Sequence, residues 1–548
     1  MRSRALGVAV AVWGTALTLV AGLAAAPSVA AEQATAPVPR LEWQSCGASL
    51  SAFLCATAEV PTDYDDPTGP TTTIGLTKLP AAKPDERLGT LFTNPGGPGG
   101  SGVDFVQQLA QRVYDPQVLA RFDVLGFDPR GVGASDPATC FPTQQDENVA
   151  LSRYQAFPLT DEQEATYVAY TAGLGAACTL TSPERFDHDS TANVARDMDL
   201  LRQAVGDEKL TYAGYSYGTF LGATYARLFP DHVRAMVLDG TLEPTAYTGT
   251  NGDERSIGAR TGQGPAAHVV FGEFLRLCAA AGPDRCALAA LGDPGTVVDQ
   301  TFERLKTKPV PVPVPGGTTV VVDYQRAVMV SFLSMYSPAL WSSLAETIAY
   351  LATASGVPAP APVAALVAQL DRAMPGTVVD AGRREDYPSL GGSLASLCAD
   401  VRNPMKVTGY PALADQQDAV APYFGRARAW VGLQCSFLHA KDQDAYTGTW
   451  DQATTAPVLV IGTRFDPATP YWMTQPFARH FPDARVLTHD GWGHTTLGQN
   501  RCAEAAVARY LVDLQAQDGA TCPTDVVPFA PKGQSSALAL LSPWWLGG

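Results

Sequence analysis

The chain has 548 residues, of which 46% are hydrophobic and 17% charged, and its formal net charge is -16. This length and apolar content exclude a disordered polymer and suffice for a large core and more than one structural unit. The acidic excess, with no dense Lys/Arg stripe to offset it, argues against nucleic acid as a partner.

The first residues, MRSRALGVAVAVWGTALTLVAGLAAAPSVAAEQ, carry Arg2 and Arg4, then no charge until Glu32, with small residues gathering at Ser28-Val29-Ala30-Ala31. A basic start, an apolar middle and a small-residue cut site predict a secretion signal over 1–31, with 32–40 as a pro-segment or loose start. The alternative is an uncleaved anchor, since Ala5 to Ala26 is long enough to span a bilayer. Apolar runs then alternate with helical patterns, as a mostly parallel α/β sheet requires. Strands are predicted at Thr72–Leu79, Leu88–Thr93, Phe122–Phe127, Leu210–Ala213, Ala235–Leu238, Val458–Gly462 and Arg485–Thr488. Helices are predicted at Ala192–Val205, Tyr217–Leu228, Trp472–His480 and Ala503–Ala516.

Between about Pro244 and Trp450 strand signals become scarce and apolar helices such as Ala267–Ala281 and Pro362–Ala373 take over. The segment KPVPVPVPGGTTVVV at Lys308–Val322 cannot be a central strand, because alternating prolines lack the N–H that a ladder needs, and it reads as an extended connector or edge. The organisation expected is a core over 41–244 and 451–525, a helical lid inserted at 245–450, and a tail at 526–548 whose apolar stretch, Leu538–Gly548, is too short to span a membrane. Ten cysteines fit an oxidising destination. Read as neighbours they pair as Cys46/Cys55, Cys140/Cys178, Cys278/Cys286, Cys398/Cys435 and Cys502/Cys522, one of about 945 possible connectivities. Zinc is the competing use, but neither Cys-x-x-Cys nor His-Glu-x-x-His spacing occurs.

In KLTYAGYSYGTFLGATYARLFP a β-like run ends at Ala213 and a helical run begins by Tyr217, so Gly214-Tyr215-Ser216-Tyr217-Gly218 is a strand-to-helix turn of the G-x-S-x-G kind. The string alone is a weak signal; its context strengthens it. Such a turn exposes the serine at the carboxyl edge of a sheet, with the positive end of the next helix aimed at charge forming there. A serine nucleophile needs a base and the base an orienting acid, in this fold in the order Ser, Asp or Glu, His. His188 precedes the serine, and His232, His268 and His439 lie upstream of any suitable acid after the lid. PVLVIGTRFDPATP supplies a strand and then Asp466, and ARVLTHDGWGHTTLG supplies another and then His494. Each has a plainer reading: Asp466 as a turn residue or helix cap, His494 as a solvated loop histidine, Ser216 as a residue that permits a tight turn. Spare bases are His489 and His480, and the spare acid is Asp490.

The Gly-rich LFTNPGGPGGSG, Leu91 to Gly102, follows a predicted strand and frees backbone N–H groups from side-chain cover. One N–H from Gly96 or Gly97 and one from Tyr217 are the expected oxyanion donors. A phosphate loop is the alternative, but it lacks the Gly-Lys-Ser/Thr ending and the dinucleotide spacing.

Together NPGGPGGSG at Asn94–Gly102, GFDPRGVGASDP at Gly126–Pro137, GYSYG at Gly214–Gly218, FDPATP at Phe465–Pro470 and GWGH at Gly491–His494 resemble the secreted α/β-hydrolases of the proline iminopeptidase and tripeptidyl aminopeptidase family, with a TAP-like C-terminal region. The resemblance runs from about Trp43 to Cys522. It implies an α/β-hydrolase fold, with helices on both faces of a mostly parallel sheet and a mainly helical lid after the sixth core strand. It also implies release of short peptides or single residues from free N-termini through Ser216, His494 and Asp466, with no metal or organic cofactor. Asp128 and Arg130 match a family loop expected to be structural. In related iminopeptidases lid carboxylates read the substrate amine, which points to Asp400, with Glu385 and Asp386 behind it; solvated surface carboxylates are the alternative. A secreted monomer acting on peptides is the expectation, and a secreted esterase on the same fold is the second reading. A catalytically inert binding protein is disfavoured, because all three triad positions hold competent residues.

Overall fold

The computed structural model describes residues 36–531 except 153–154, 354–357, 373–389, 439–441 and 452. The expected signal over 1–31, the start of the pro-segment and the tail from 532 lie outside the described residues, as do Glu385 and Asp386.

Short apolar runs that bury both faces form the centre of one sheet. In chain order its strands are β1 (Gln44–Ser45), β2 (Leu54–Pro61), β3 (Thr71–Leu79), β4 (Gly89–Asn94), β5 (Phe122–Phe127), β6 (Leu210–Tyr215), β7 (Val233–Asp239), β10 (Val458–Phe465), β11 (Arg485–Trp492) and β12 (Ala520–Pro523), with β8 (Val310–Pro313) and β9 (Thr319–Val322) outside it. The spatial order is β1-β2-β3-β5-β4-β6-β7-β10-β11-β12. From β5 to β12 every neighbouring pair is parallel, while β1, β2 and β3 extend one side antiparallel. Successive residues serve opposite faces: Met236 and Leu238 pack in the core below one face, Ala235 and Val237 in the core of the other. The protein has the α/β-hydrolase architecture, as expected.

The chain between β7 and β10 is mainly helical and builds its own apolar core around Phe271, Phe274, Phe302, Trp341 and Trp430. Its proline-rich segment is an antiparallel hairpin of β8 and β9, so of the two expectations it is edge structure and not a connector. Val310 and Val312 turn inward while Pro311 and Pro313 face solvent, where a missing N–H costs nothing. A second contribution to this cap core comes from outside 245–450: the Asp161–Thr181 helix brings Tyr167 edge-on to Trp430 at 5.5 Å between ring centres. All ten cysteines are paired, Cys46–Cys55, Cys140–Cys178, Cys278–Cys286, Cys398–Cys435 and Cys502–Cys522, each with its neighbour along the chain.

Buried charge fixes the loop after β5. Arg130 is fully buried and meets Asp197 in a two-pronged contact, Nε to Oδ2 at 2.8 Å and Nη2 to Oδ1 at 2.6 Å, while its remaining N–H groups go to the carbonyls of Pro61, Thr62 and His188. Asp128 accepts from Ser101 Oγ and the backbone N–H groups of Val103 and Ala134, tying this loop to the helix after the glycine-rich segment. Both residues are structural, in line with the sequence reading.

Removing one partner of a buried pair strands the other's charge. Asp197→Ala is therefore expected to cost about 3–5 kcal/mol in denaturant unfolding. Burial also pushes the carboxyls of Asp189, Asp400 and Glu504 up to about 7 and that of Asp239 up to about 6. The folded chain keeps protons there that an unfolded chain releases near pH 4. The resulting stabilisation is complete below the unfolded values and is lost as pH rises through about 6–7. Thermal unfolding should show a higher Tm at about pH 5 than at about pH 8; an unchanged or rising Tm over that interval would contradict it.

Candidate active site

β6 runs into the Tyr217–Leu228 helix through Ser216 with no intervening loop, and the serine takes up the strain with φ 57° and ψ -123°. The turn closes because Gly214 and Gly218 carry no Cβ: one at Gly214 would enter the Gly218 carbonyl, and one at Gly218 would stand 2.7 Å from the Asn94 carbonyl. Serine at a helix start usually caps it, yet Ser216 makes no side-chain cap bond, so its hydroxyl is kept from that structural duty. Its carbonyl is held instead, accepting Thr219 N–H at 2.9 Å and Thr219 Oγ1–H at 2.6 Å. Tyr217 opens the helix, where an N–H has no partner four residues back.

The loop after β4 approaches this turn from the side. Gly96 has φ 101°, and a Cβ there would overlap the Tyr215 carbonyl and lie 2.9 Å from Ser216 Cβ and 3.1 Å from Tyr217 N. Its own N–H donates to Asn94 Oδ1 at 2.9 Å. That bond occupies the N–H of Gly96, one of the two glycines expected as an oxyanion donor. Asn94, which the motif reading passed over, orients the loop; only its position at the head of the glycine run could have flagged it.

Asp466 follows β10 and His494 follows β11, the next strand across. His494 Nδ1 donates to Asp466 at 2.9 Å (Oδ2) and 3.0 Å (Oδ1), with both side chains buried. The carboxylate is held from behind: Oδ1 accepts the N–H groups of Ala468 and Thr469 at 2.8 Å, and Oδ2 accepts the Thr469 hydroxyl at 2.9 Å. With Nδ1–H committed to the acid, Nε2 is the basic nitrogen of the ring. The turn after β7 joins this pair to the serine. Asp239 O accepts the Ser216 N–H at 3.0 Å, and a Cβ on the next residue, Gly240, would touch His494 Cε1 at 3.4 Å and Thr469 Oγ1 at 3.1 Å.

The spare groups lie elsewhere. His489 is buried with Nδ1 3.3 Å from Thr463 Oγ1, and burial lowers it to about 4. His480 pairs with Glu243 at 2.7 Å, and Asp490 pairs with Arg464 at the surface.

The cap touches the His494 loop and the glycine loop, and reaches Tyr217 through Thr191. The Tyr336 carbonyl accepts His494 N–H at 2.9 Å, and its ring stands edge-on to the imidazole at 4.8 Å. Ser393, in the Leu390–Asp400 helix, fills the space beside Gly99 that a Cβ would need. At the end of that helix Asp400 accepts Thr191 N–H at 3.0 Å and the Thr191 hydroxyl, which in turn meets the Tyr217 hydroxyl. Within the cap lies a cavity of about 210 Å³ bordered by Tyr167, Asp323, Met329, Leu394, Leu397 and Arg428. Ser216, Asp466, His494 and the glycine loop do not border this cavity; Leu394 adjoins Ser393, and Arg428 lies 5.0 Å over the Phe332 ring, itself 5.5 Å from Tyr336. Among the described residues no group of His, Cys, Asp and Glu is disposed to hold a metal ion, and no helix is long and apolar enough to cross a membrane.

Two family models match the chain: alpha/beta hydrolase fold over 89–268, which includes Ser216, and TAP-like protein over 421–522, which includes Asp466 and His494. The chain is 31% identical to "Serine protease Hip1" of Mycobacterium tuberculosis, covering 86% of this chain and 88% of that protein. It is 28% identical to "Tripeptidyl aminopeptidase" of Streptomyces lividans, covering 86% and 84%, and 33% identical to "Carboxylesterase B" of Mycobacterium tuberculosis, covering 87% and 89%. Likeness to full-length relatives at this level, on a sheet of this order, means that the chain belongs to the α/β-hydrolase family, with a TAP-like C-terminal region, and is a serine hydrolase.

Proposed function

We propose that the protein is an exported serine exopeptidase that cleaves peptides near free N-termini, with Ser216 as nucleophile, His494 as base and Asp466 as orienting acid. The observation that carries this reading is the buried His494–Asp466 bond of 2.9 Å, set against a strained, uncapped serine whose N–H is bonded to the adjoining β7 turn. Ser216 Oγ attacks the scissile carbonyl while His494 Nε2 takes its proton. Asp466 keeps Nδ1–H in the required tautomer. The N–H groups of Gly97 and Tyr217 receive the developing oxyanion, each contributing on the order of 10²–10³ in rate. His494 then passes the proton to the departing amine, and water releases the acyl group by the same steps in reverse. The chain's own residues supply every proton transfer in this sequence.

An exopeptidase must also read an ammonium group. Asp400 was the sequence candidate, but both of its oxygens are engaged by Thr191 and it does not border the cap cavity. Asp323 is the one carboxylate among the described residues bordering that cavity; its Oδ1 accepts the Arg326 N–H at 2.8 Å, and on the reading that the cavity takes the substrate's amine end we assign the amine to it. Five disulfides using all ten cysteines fit an oxidising compartment, in keeping with export by the N-terminal signal. The second reading, an esterase, is favoured by the arginines, Arg326 and Arg428, that share the cavity border with a single carboxylate, and by the likeness to "Carboxylesterase B".

The test is a panel of mono-, di- and tripeptidyl anilides with free amines, their N-blocked counterparts and a simple ester. The peptidase reading expects hydrolysis of at least one free-amine anilide, with Asp323→Asn raising KM for it and leaving the blocked compound unaffected. Ester turnover with no anilide cleaved would select the esterase. Ser216→Ala should lower kcat by at least about 10⁴-fold on every substrate, and retained activity would refute the nucleophile. Gly96→Ala drives a methyl into the Tyr215 carbonyl and Ser216 Cβ, and kcat should fall on the order of 10²-fold, read beside a melting curve showing that the chain is folded.

A further inference from the structure

β7 ends at Asp239, between the strand that leads to Ser216 and the strand that leads to Asp466. Asp239 is 1% exposed, and its Oδ2 accepts two hydrogen bonds from Thr496, the backbone N–H at 2.8 Å and the hydroxyl at 2.7 Å. Thr496 lies two residues beyond His494. The main chain of Asp239 works in the other direction: its carbonyl holds the Ser216 N–H at 3.0 Å, and the following N–H, of Gly240, donates to the Ile461 carbonyl at 3.1 Å. One residue thus grips the serine's peptide with its backbone and the histidine's loop with its side chain.

A carboxylate carrying only structural load is usually satisfied on both oxygens. Asp239 Oδ1 is buried with no hydrogen-bond partner among the described residues, on the border of a small cavity. The titratable groups facing Asp239 are His494 and Asp466 from the loops after β11 and β10, Tyr215 from β6, Tyr114 and Asp115 from the turn between the Gly102–Val113 and Pro116–Arg121 helices, and Glu504 from the Arg501–Asp513 helix. No lysine or arginine borders that cavity. Protonated His494 is the cation named among the groups whose charge acts on Asp239.

Resting on the assignment of His494 as the base, we propose that Asp239 is a positioning residue for the reaction: it fixes the spacing of Ser216 and His494, and its charge favours the imidazolium formed when His494 takes the serine's proton. Burial pushes its carboxyl up to about 6, against the hydrogen bonds from Thr496 and the charge of His494, so it loses its proton over the range in which an enzyme histidine becomes basic. Asp466 then holds the ring by contact and Asp239 acts on it through space.

The experiment compares Asp239→Asn with wild type. The amide oxygen can still accept from Thr496, so shape is kept and charge is lost. The expected result is a fall in kcat on the order of 10²-fold with KM unchanged. The acid limb of the kcat/KM profile should move to lower pH, because an imidazole without a nearby negative charge binds its proton less tightly. Wild-type kcat, or a lower kcat with an unmoved acid limb, overturns the proposal. If the melting curve shows Asp239→Asn unfolded, Thr496→Val decides: reduced kcat at constant KM, recovered in Thr496→Ser, supports it, and wild-type kcat overturns it. Labelling of wild type by an organophosphorus fluoride, located by peptide mapping, separates the two levels of inference. Absence of label from Ser216 would refute the assignment of the triad, whereas label at Ser216 with unaltered Asp239→Asn kinetics refutes only the role of Asp239.

Discussion

Strands β6, β7, β10 and β11 lie side by side and point the same way, and the arrangement of the site follows from that shared direction. Parallel strands deliver their carboxyl ends to one edge of a sheet, where the chain must turn and where side chains are freed from the ladder. Ser216, the Asp239–Gly240 turn, Asp466 and His494 each follow one of these strands. Backbone bonds between neighbouring turns, Ser216 N–H to Asp239 and Gly240 N–H to Ile461, then convert strand order into atomic spacing. The excursion between β7 and β10 leaves at this edge and returns to the opposite, amino edge, as a parallel connection must, and β7 and β10 stay paired from Val458–Met236 to Ile461–Asp239.

Local physics works with this constraint. A glycine between the Ser216 turn and the β4 loop lets two backbones approach within van der Waals contact, and the uncapped start of the Tyr217–Leu228 helix presents an unsatisfied N–H beside the hydroxyl. Burying Asp466 would be costly without compensation, and the N–H groups of Ala468 and Thr469 with the Thr469 hydroxyl provide it before the histidine is counted. The imidazole is therefore oriented by an acid that is itself immobile.

What could be read without coordinates follows the same division between local and non-local causes. Strands buried on both faces are continuous apolar runs, so β5 matched its expected limits, β6, β10 and β11 differed only at their carboxyl ends, and β4 and β7 differed by one or two residues at each end. The Ser216 turn was legible because glycine, a β run and a helical run must all coincide there. Strand β2 escaped notice since its alternation, with Glu59 outward and Val60 inward, is that of a modest edge-side strand ending in Pro61. The helix expected at Trp472–His480 is instead a 3₁₀ turn at Tyr471–Met473 and a short helix at Thr474–Ala478. Pairings remote in sequence were beyond reach: nothing in the string Leu-Asp-Gly announces that Asp239 will meet Thr496, and nothing near Asp400 tells that Thr191 will occupy its oxygens. The Asp161–Thr181 helix joined the cap core for a similar reason, its partners being Trp430 and the far side of the insertion.

The carbonyl of Tyr336 has an implication for traffic through the molecule. Because a cap residue supplies the hydrogen-bond acceptor for the backbone of His494, swinging the whole roof aside would strip the imidazole's loop of support at the moment a guest arrives. Entry by threading preserves that bond where hinged opening breaks it.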